Sequence, residues 1–376
     1  MDSQSSRHHN NCNLLRLIFA GLVVVSHSPV LVDGNHLREP LLRLFGRMSL
    51  GDVSVDGFFL VSGYLITKSF ARQPKVFGYL MKRVARIYPA YLICYWLCIL
   101  ALAPFVGGDR HLLTSPHFLL IEVLRSLCLF SPQLPGAFHS LPFAFLNGSV
   151  WTIKFEFLCY LLVALLGPLV IKLRSRDYLR YVLCVFVLLG LVLDGYARTD
   201  VGADLIPGGT ISSLIQGCLR FFPICGAGAL FYFFRHEIRF TGRGTAVAML
   251  GLLVFFSFAS TQEPALVVFG GYLIFGFSFA ARVLTLGEWT GKTDISYGLY
   301  LYAWPIQNLL IWFWRDINPW VLSVIALLGA GLLGYCSWHL IEKKTLAIVH
   351  KRFSIRKTSS GSVVDLSSPV SESTRV

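Results

Sequence analysis

Long apolar runs separated by short polar stretches repeat along the chain. Ten of them approach the roughly 20 residues needed to cross a hydrocarbon core: about 14–33, 52–70, 86–106, 149–171, 178–195, 211–234, 245–261, 265–282, 294–315 and 320–341. They predict an all-α integral membrane protein, a bundle of about ten transmembrane helices. The segment 117–130 is too short to span and carries Glu122 and Arg125, so it reads as an interfacial or re-entrant piece of the long loop 107–148. No small-residue cleavage site follows the first run, which is therefore read as a retained helix and not a signal peptide. The membrane domain is placed at residues 1–345 and a basic, then Ser-rich tail at 346–376. From Thr358 onward this tail has too little hydrophobic pattern to bury a core and is expected to be disordered.

Composition supports the bundle. Of 376 residues 55% are apolar and 14% charged, against about 25% charged in soluble domains. Too few polar side chains remain to cover a water-facing surface. The net charge of +13 raises nucleic-acid binding, but the distribution of the charge argues against it. With the N-terminus inside, 24 of the 33 Lys and Arg fall in inside segments and seven in outside loops. That asymmetry places both termini in the cytoplasm. The nine cysteines are scattered through apolar runs with no Cys-x-x-Cys, which suits small buried hydrophobes rather than disulfides or a metal centre, and no metal is expected.

Ionisable groups inside spanning segments are costly and mark candidate sites. Five stand out: His27, Asp56, Lys154, Glu156 and Arg220. Under the topology above His27, Asp56 and Glu156 all fall in the outer half of the membrane, where an imidazole with a carboxylate suits proton removal from a hydroxyl. Arg16 precedes His27 by eleven residues, about 16 Å along a helix, and so sits at the cytoplasmic surface. Arg83 and Arg86, three apart and on one helical face, stand at the start of the third helix on that side. Their forked donors match phosphate oxygens. Structural roles are open for all of them: His27 as a packing residue, the arginines as lipid anchors, Asp56 as a helix cap, Arg220 as the partner of a carboxylate. Lys154 and Glu156, two apart, do not share a face.

At these residues the sequence resembles the acyltransferase-3 family of membrane O-acyltransferases. LRLIFAGLVVVSH (15–27) carries the family's Arg-x10-His spacing, and VDGFFLVSGYLIT (55–67) resembles its Gly-rich second helix. RVARIYPAYL (83–92) looks like its Arg-x-x-Arg-Ile-x-Pro element, GSVWTIKFEFLCY (148–160) its Ser-x-Trp-Thr-x-x-x-Glu pattern, and ISYGLYLYAWPIQ (295–307) its late Ser-Tyr-Gly-x-Tyr signature. The motifs occur in family order, and IEKK (341–344) fits as well. One departure is Ala303, where many members carry His. No room is expected after the last helix for the esterase-like domain that some relatives carry.

The resemblance implies acyl transfer, commonly of acetyl, from a cytoplasmic acyl-CoA to a carbohydrate or lipid-linked glycan. The setting it implies is the inner (plasma) membrane of a bacterium. Arg16, Arg83 and Arg86 would hold the phosphates of acetyl-CoA, His27 would act as general base, Glu156 would orient it, and Asp56 would complete the catalytic group. The competing reading is a proton-coupled carrier of a glycan or small molecule.

Overall fold

The computed structural model describes residues 11–172, 176–199, 209–279 and 285–353. Residues 354–376, most of the tail expected to be disordered, lie outside the described residues. Among those described the chain is helical throughout its regular structure: α1 (Cys12–Asp33), α2 (Pro40–Phe45), α3 (Leu50–Arg72), α4 (Val76–Trp96), α5 (Pro116–Leu127), α6 (Ile153–Lys172) and α7 (Arg176–Ala197). Then follow α8 (Thr210–Phe233), α9 (Gly242–Phe256), α10 (Ala259–Phe279), α11 (Thr285–Lys292), α12 (Ser296–Phe313), α13 (Pro319–Ser337) and α14 (Lys343–Phe353). Among the described residues eight helices are long and apolar enough to cross a membrane. The other two expected spans form α9, with 15 residues, and the tyrosine-rich α12, with 18. Large apolar side chains such as Leu188, Val192, Leu328 and Leu332 lie more than 60% exposed on the rim of the bundle, where only lipid could cover them.

Local chemistry sets the helix ends. Ser49 and Asp52 form a reciprocal capping box at the start of α3, which satisfies donors that the first turn leaves unpaired. Gly34, at φ 70°, closes α1 in the left-handed conformation that favours glycine. Glu39 caps α2 and accepts hydrogen bonds from Ser26 Oγ at 2.7 Å and Leu50 N at 2.8 Å. This one carboxylate therefore pins the α1–α3 connection to α1.

Close helix contact builds the core. Gly63 of α3 and Gly228 of α8 meet backbone directly: a Cβ at either would lie 2.0–2.1 Å from a carbonyl oxygen, of Cys225 or Leu60. Small residues let membrane helices approach in this way.

Two ends can be told apart. The basic end holds the start of α1, the α3–α4 turn, the end of α10, the start of α12 and α14. Asn11 donates to Phe277 O and Asn13 to Thr290 O there. The far end holds the starts of α3 and α6, the 107–148 loop and the α12–α13 turn, joined by Arg315 to Ser140 and Trp304 to Phe145.

Two differences from the sequence reading bear on function. The third helix begins at Val76, ten residues before the expected residue 86, and runs on to Phe105 through a π-helical turn, Leu97–Leu102. Arg83 and Arg86 thus lie inside a helix rather than at its mouth. The tail boundary at residue 345 falls within α14, which packs against α4.

Gly63→Val should leave little monodisperse protein on size-exclusion chromatography in detergent, because backbone rather than a yielding side chain occupies the space. Gly331→Ala, where nothing lies within 4 Å, should fold as the parent does.

Candidate active site

A buried ion network closes the basic end of the bundle. Arg16 of α1 pairs with Asp294 at 2.9 Å, and Arg86 of α4 pairs with Asp294 at 2.7 Å and Glu342 at 2.9 Å. Asp294 also accepts from Ser296 Oγ, and Glu342 from Ser337 Oγ. Two cations meet two anions, so the network is neutral as a whole. Glu342 is the last residue of a π-helical turn, Trp338–Glu342. Such turns recur at functional positions because the extra residue re-aims side chains; here the turn carries Glu342 to full burial.

Arg83 stands apart. No carboxylate lies within ion-pair distance of it among the described residues, and its buried Nε has no hydrogen-bond partner. Its guanidinium lies 5.2 Å from the Tyr79 ring and 5.4 Å from the Tyr160 ring. Tyr160, one turn after Glu156 on the same face of α6, donates its hydroxyl to Glu156. Ser62 of α3 approaches the same carboxylate at 3.5 Å.

These groups share a cavity of about 200 Å³ at the basic end, with Arg16, Ser62, Arg83, Arg86, Glu156 and Tyr160 in its wall. Past Ser62 and Glu156 it narrows to a passage of about 40 Å³ between Phe58, Thr152, Tyr297 and Tyr300. Tyr300 is fixed there by donating to Ser149 O at 2.5 Å and by a 2.7 Å contact with Thr152 Oγ1.

His27 lies toward the far end. Its ring packs edge-on to Trp304 at 5.0 Å, and Trp304 is one turn beyond Tyr300 on α12. Gly51, next to Asp52 in the chain, packs against Ser26, next to His27: a Cβ there would lie 3.1 Å from Ser26 Oγ. Asp52 pairs with Arg220 of α8 at 2.9 Å, and the same guanidinium reaches Asp56 at 3.1 Å.

The structure therefore sorts the expected site residues into two groups. Arg16, Arg83, Arg86 and Glu156 come together at the basic end; His27 and Asp56 belong to the far end. No hydrogen bond or ion pair joins His27 to Glu156 among the described residues. The Ser62 beside Glu156 is ten residues along α3 from Asp52, about 15 Å in axial distance. Asp52 lies on the first turn of α3, which packs against α1 beside His27. Sequence reasoning missed it because its place at a helix start reads as a cap, which it also is. Asp294, Glu342 and Tyr160 were missed too. Tyr160 was in reach, at i+4 from Glu156; Asp294 and Glu342 are joined to their partners only by the tertiary fold. Lys154 faces aromatic rings, 4.9 Å from Phe155 and 5.3 Å from Phe130.

The apolar spans and the cationic cavity at one end define the class as an all-α integral membrane protein. The comparisons give the family. The chain belongs to the acyltransferase-3 family, whose model, described as an acyltransferase domain, matches residues 9–339, and it is an acyltransferase. It is 30% identical to an O-acetyl transferase of Shigella phage Sf6, over 90% of this chain and 97% of that protein. It is 25% identical to Nodulation protein 10 of Rhizobium leguminosarum bv. viciae, over 94% of this chain and 99% of that one. No solved structure matches it.

Breaking a buried ion pair from one side costs about 3–5 kcal/mol, since a charge is stranded. Asp294→Asn and Glu342→Gln should each lower the detergent melting temperature sharply. Arg86→Met combined with Glu342→Gln should recover part of the loss, because Asp294 keeps Arg16 and no charge is left unpaired.

Proposed function

We propose that this enzyme moves an acetyl group from acetyl-CoA to a hydroxyl of a cell-surface or lipid-linked carbohydrate. Its setting would be the inner membrane of a bacterium, with the basic end in the cytoplasm. The observation that carries this reading is Arg83. Among the described residues it is a cation with no carboxylate at ion-pair distance, in a cavity that tapers past Glu156 toward the end where His27 lies. An enzyme that must hold phosphate on one side and deprotonate a sugar on the other needs these two stations. The phage relative is an O-acetyl transferase, which supports the choice of acetyl.

In this mechanism Arg83 takes the donor's phosphates. Arg16 and Arg86, whose charge is already met by Asp294 and Glu342, contribute remaining N–H groups. Glu156 holds Tyr160 against Arg83 and so shapes the donor cavity. The pantetheine arm threads the passage beside Tyr300, bringing the thioester toward His27. His27 takes the hydroxyl proton as the oxygen attacks the thioester carbonyl, the carbon–sulfur bond breaks, and the proton passes to the departing thiolate. Asp52 stabilises the imidazolium as it forms, the role an acid plays beside a catalytic histidine. Asp56 acts at one remove, by fixing the Arg220 that orients Asp52.

Mass spectrometry of surface glycans with and without the gene tests the reaction class. A shift of one acetyl group per repeat supports transfer, and loss of the whole glycan would point to a carrier instead. For the residues, His27→Ala should cut transfer by about 10²–10⁴-fold. Asp52→Asn should lose much of the rate, and the double variant should be scarcely worse than His27→Ala, because groups that act as a unit are non-additive. A multiplicative double loss would separate the two residues. Arg83→Lys, which keeps the charge but loses the fork, should raise the acetyl-CoA KM with little change in acceptor preference. Wild-type donor kinetics in that variant would return Arg83 to a packing role.

A further inference from the structure

The donor cavity does not end at the bundle. It shares Ser69 and Lys82 with a second concavity of about 290 Å³, built where α14 lies back over the α3–α4 turn. Three cations line this pocket, Lys75, Lys82 and Arg352, and no carboxylate does. None of the three has an acidic partner within ion-pair distance among the described residues. Lys82 donates to the amide oxygen of Gln73. Two rings stand beside the cations: Phe77, 68% exposed, and Phe353, at 5.6 Å between centroids and 72° between planes. Phe353 packs beside Gly78 at the start of α4.

An uncompensated triple charge in a concave pocket calls for an anion of high charge density. Exposed rings alongside call for a flat partner, since every base has a π-face to stack. Continuity with the donor cavity means that both features belong to one elongated ligand. From Val55 in the narrow passage to Gln73 in this pocket is eighteen residues of α3, about 27 Å of track.

We propose that this pocket binds the 3′-phosphoadenosine end of the coenzyme A donor, with Lys75 and Arg352 on the 3′-phosphate and the adenine against Phe77 or Phe353. The C-terminal helix α14 is thereby part of the donor site. The assignment rests on the donor reading above. A lipid headgroup phosphate shares the anionic chemistry but lacks the base, and it has no reason to lie on a track running into the bundle.

The test uses the full chain in lipid nanodiscs, with acetyl-CoA and acetyl-dephospho-CoA, which lacks only the 3′-phosphate, as competing donors. Wild type should show a KM about tenfold higher for the dephospho compound, the worth of a charge-assisted contact. Arg352→Ala and Lys75→Ala should each raise the acetyl-CoA KM toward that value, leaving the dephospho KM and kcat unchanged. Equal use of both donors by wild type overturns the proposal while the donor reading stands. Variants that weaken both donors alike overturn it too, by showing that α14 matters only for shape. A KM that follows the fraction of phosphatidylglycerol in the disc, and not the 3′-phosphate, gives the pocket to a lipid headgroup and overturns it. No transfer from either donor overturns both readings together.

Discussion

Everything at the basic end hangs on Arg86. Its guanidinium is nearly enclosed by the bundle, where an unpaired charge would cost several kcal/mol, and it is held by Asp294 and Glu342 together. Asp294 in turn takes Arg16. Four groups from the beginning, middle and end of the chain are therefore tied at one point. α1, α4, the start of α12 and the end of α13 cannot separate there without stranding a charge. In lipid the hydrophobic effect does little to hold helices together, so a closed polar network can set register where apolar packing alone cannot. Its neutrality also leaves Arg83, one turn away, as the neighbouring guanidinium whose charge is not already used.

The far end repeats the logic with a different outcome. Arg220 meets both Asp52 and Asp56, so one cation faces two anions and the cluster is not closed. Asp52 is the more open of the two, with 36% of its side chain exposed against 1% for Asp56. A buried anchor and a freer partner on the same arginine leave one carboxylate of the pair open to its surroundings. Between the ends the bundle is mostly apolar, with tight contacts such as Gly63 on Cys225 and Gly298 on Gly334. Ser62, Thr152 and Tyr300 are polar groups of the passage that leads from the cationic cavity.

The spans were legible because twenty apolar residues in a row have one physical explanation. The placement of Arg83 and Arg86 was less so. VFGYLMKRVARIY mixes apolar and basic residues, and a hydropathy reading starts the helix where the charges stop, whereas the charges here are inside the helix, Arg86 paired with carboxylates and Arg83 set beside tyrosine rings. The neighbours of Glu156, Ser62 of α3 and the cavity of Arg16 and Arg83, were hidden for a related reason. Counting turns from a helix start locates a residue along its own axis but not against its neighbours, and α6 enters through the turn Ser149–Thr152 at a level that only packing sets. Asp52 was hidden by having two roles, since a cap explains an acidic residue at a helix start completely. Ion pairs such as Arg86–Glu342, 256 positions apart, have no local signal at all.

The same network also decides where the end of the chain goes. Glu342 closes the π-helical turn and Lys343 opens α14, so pairing Glu342 with Arg86 fixes the point from which α14 departs. Arg86 is on α4, and α14 packs back along α4 toward its first turn. Leu346 and His350 thus enter the wall of the donor cavity, and Arg352 and Phe353 reach the pocket beside it. A helix that looked like a basic tail from its composition is held in place from its first residue by a buried carboxylate immediately before it. The clamp that keeps the bundle shut at this end therefore also shapes the entrance to it, and a change at Arg86 should be felt at Phe353, eleven residues past Glu342.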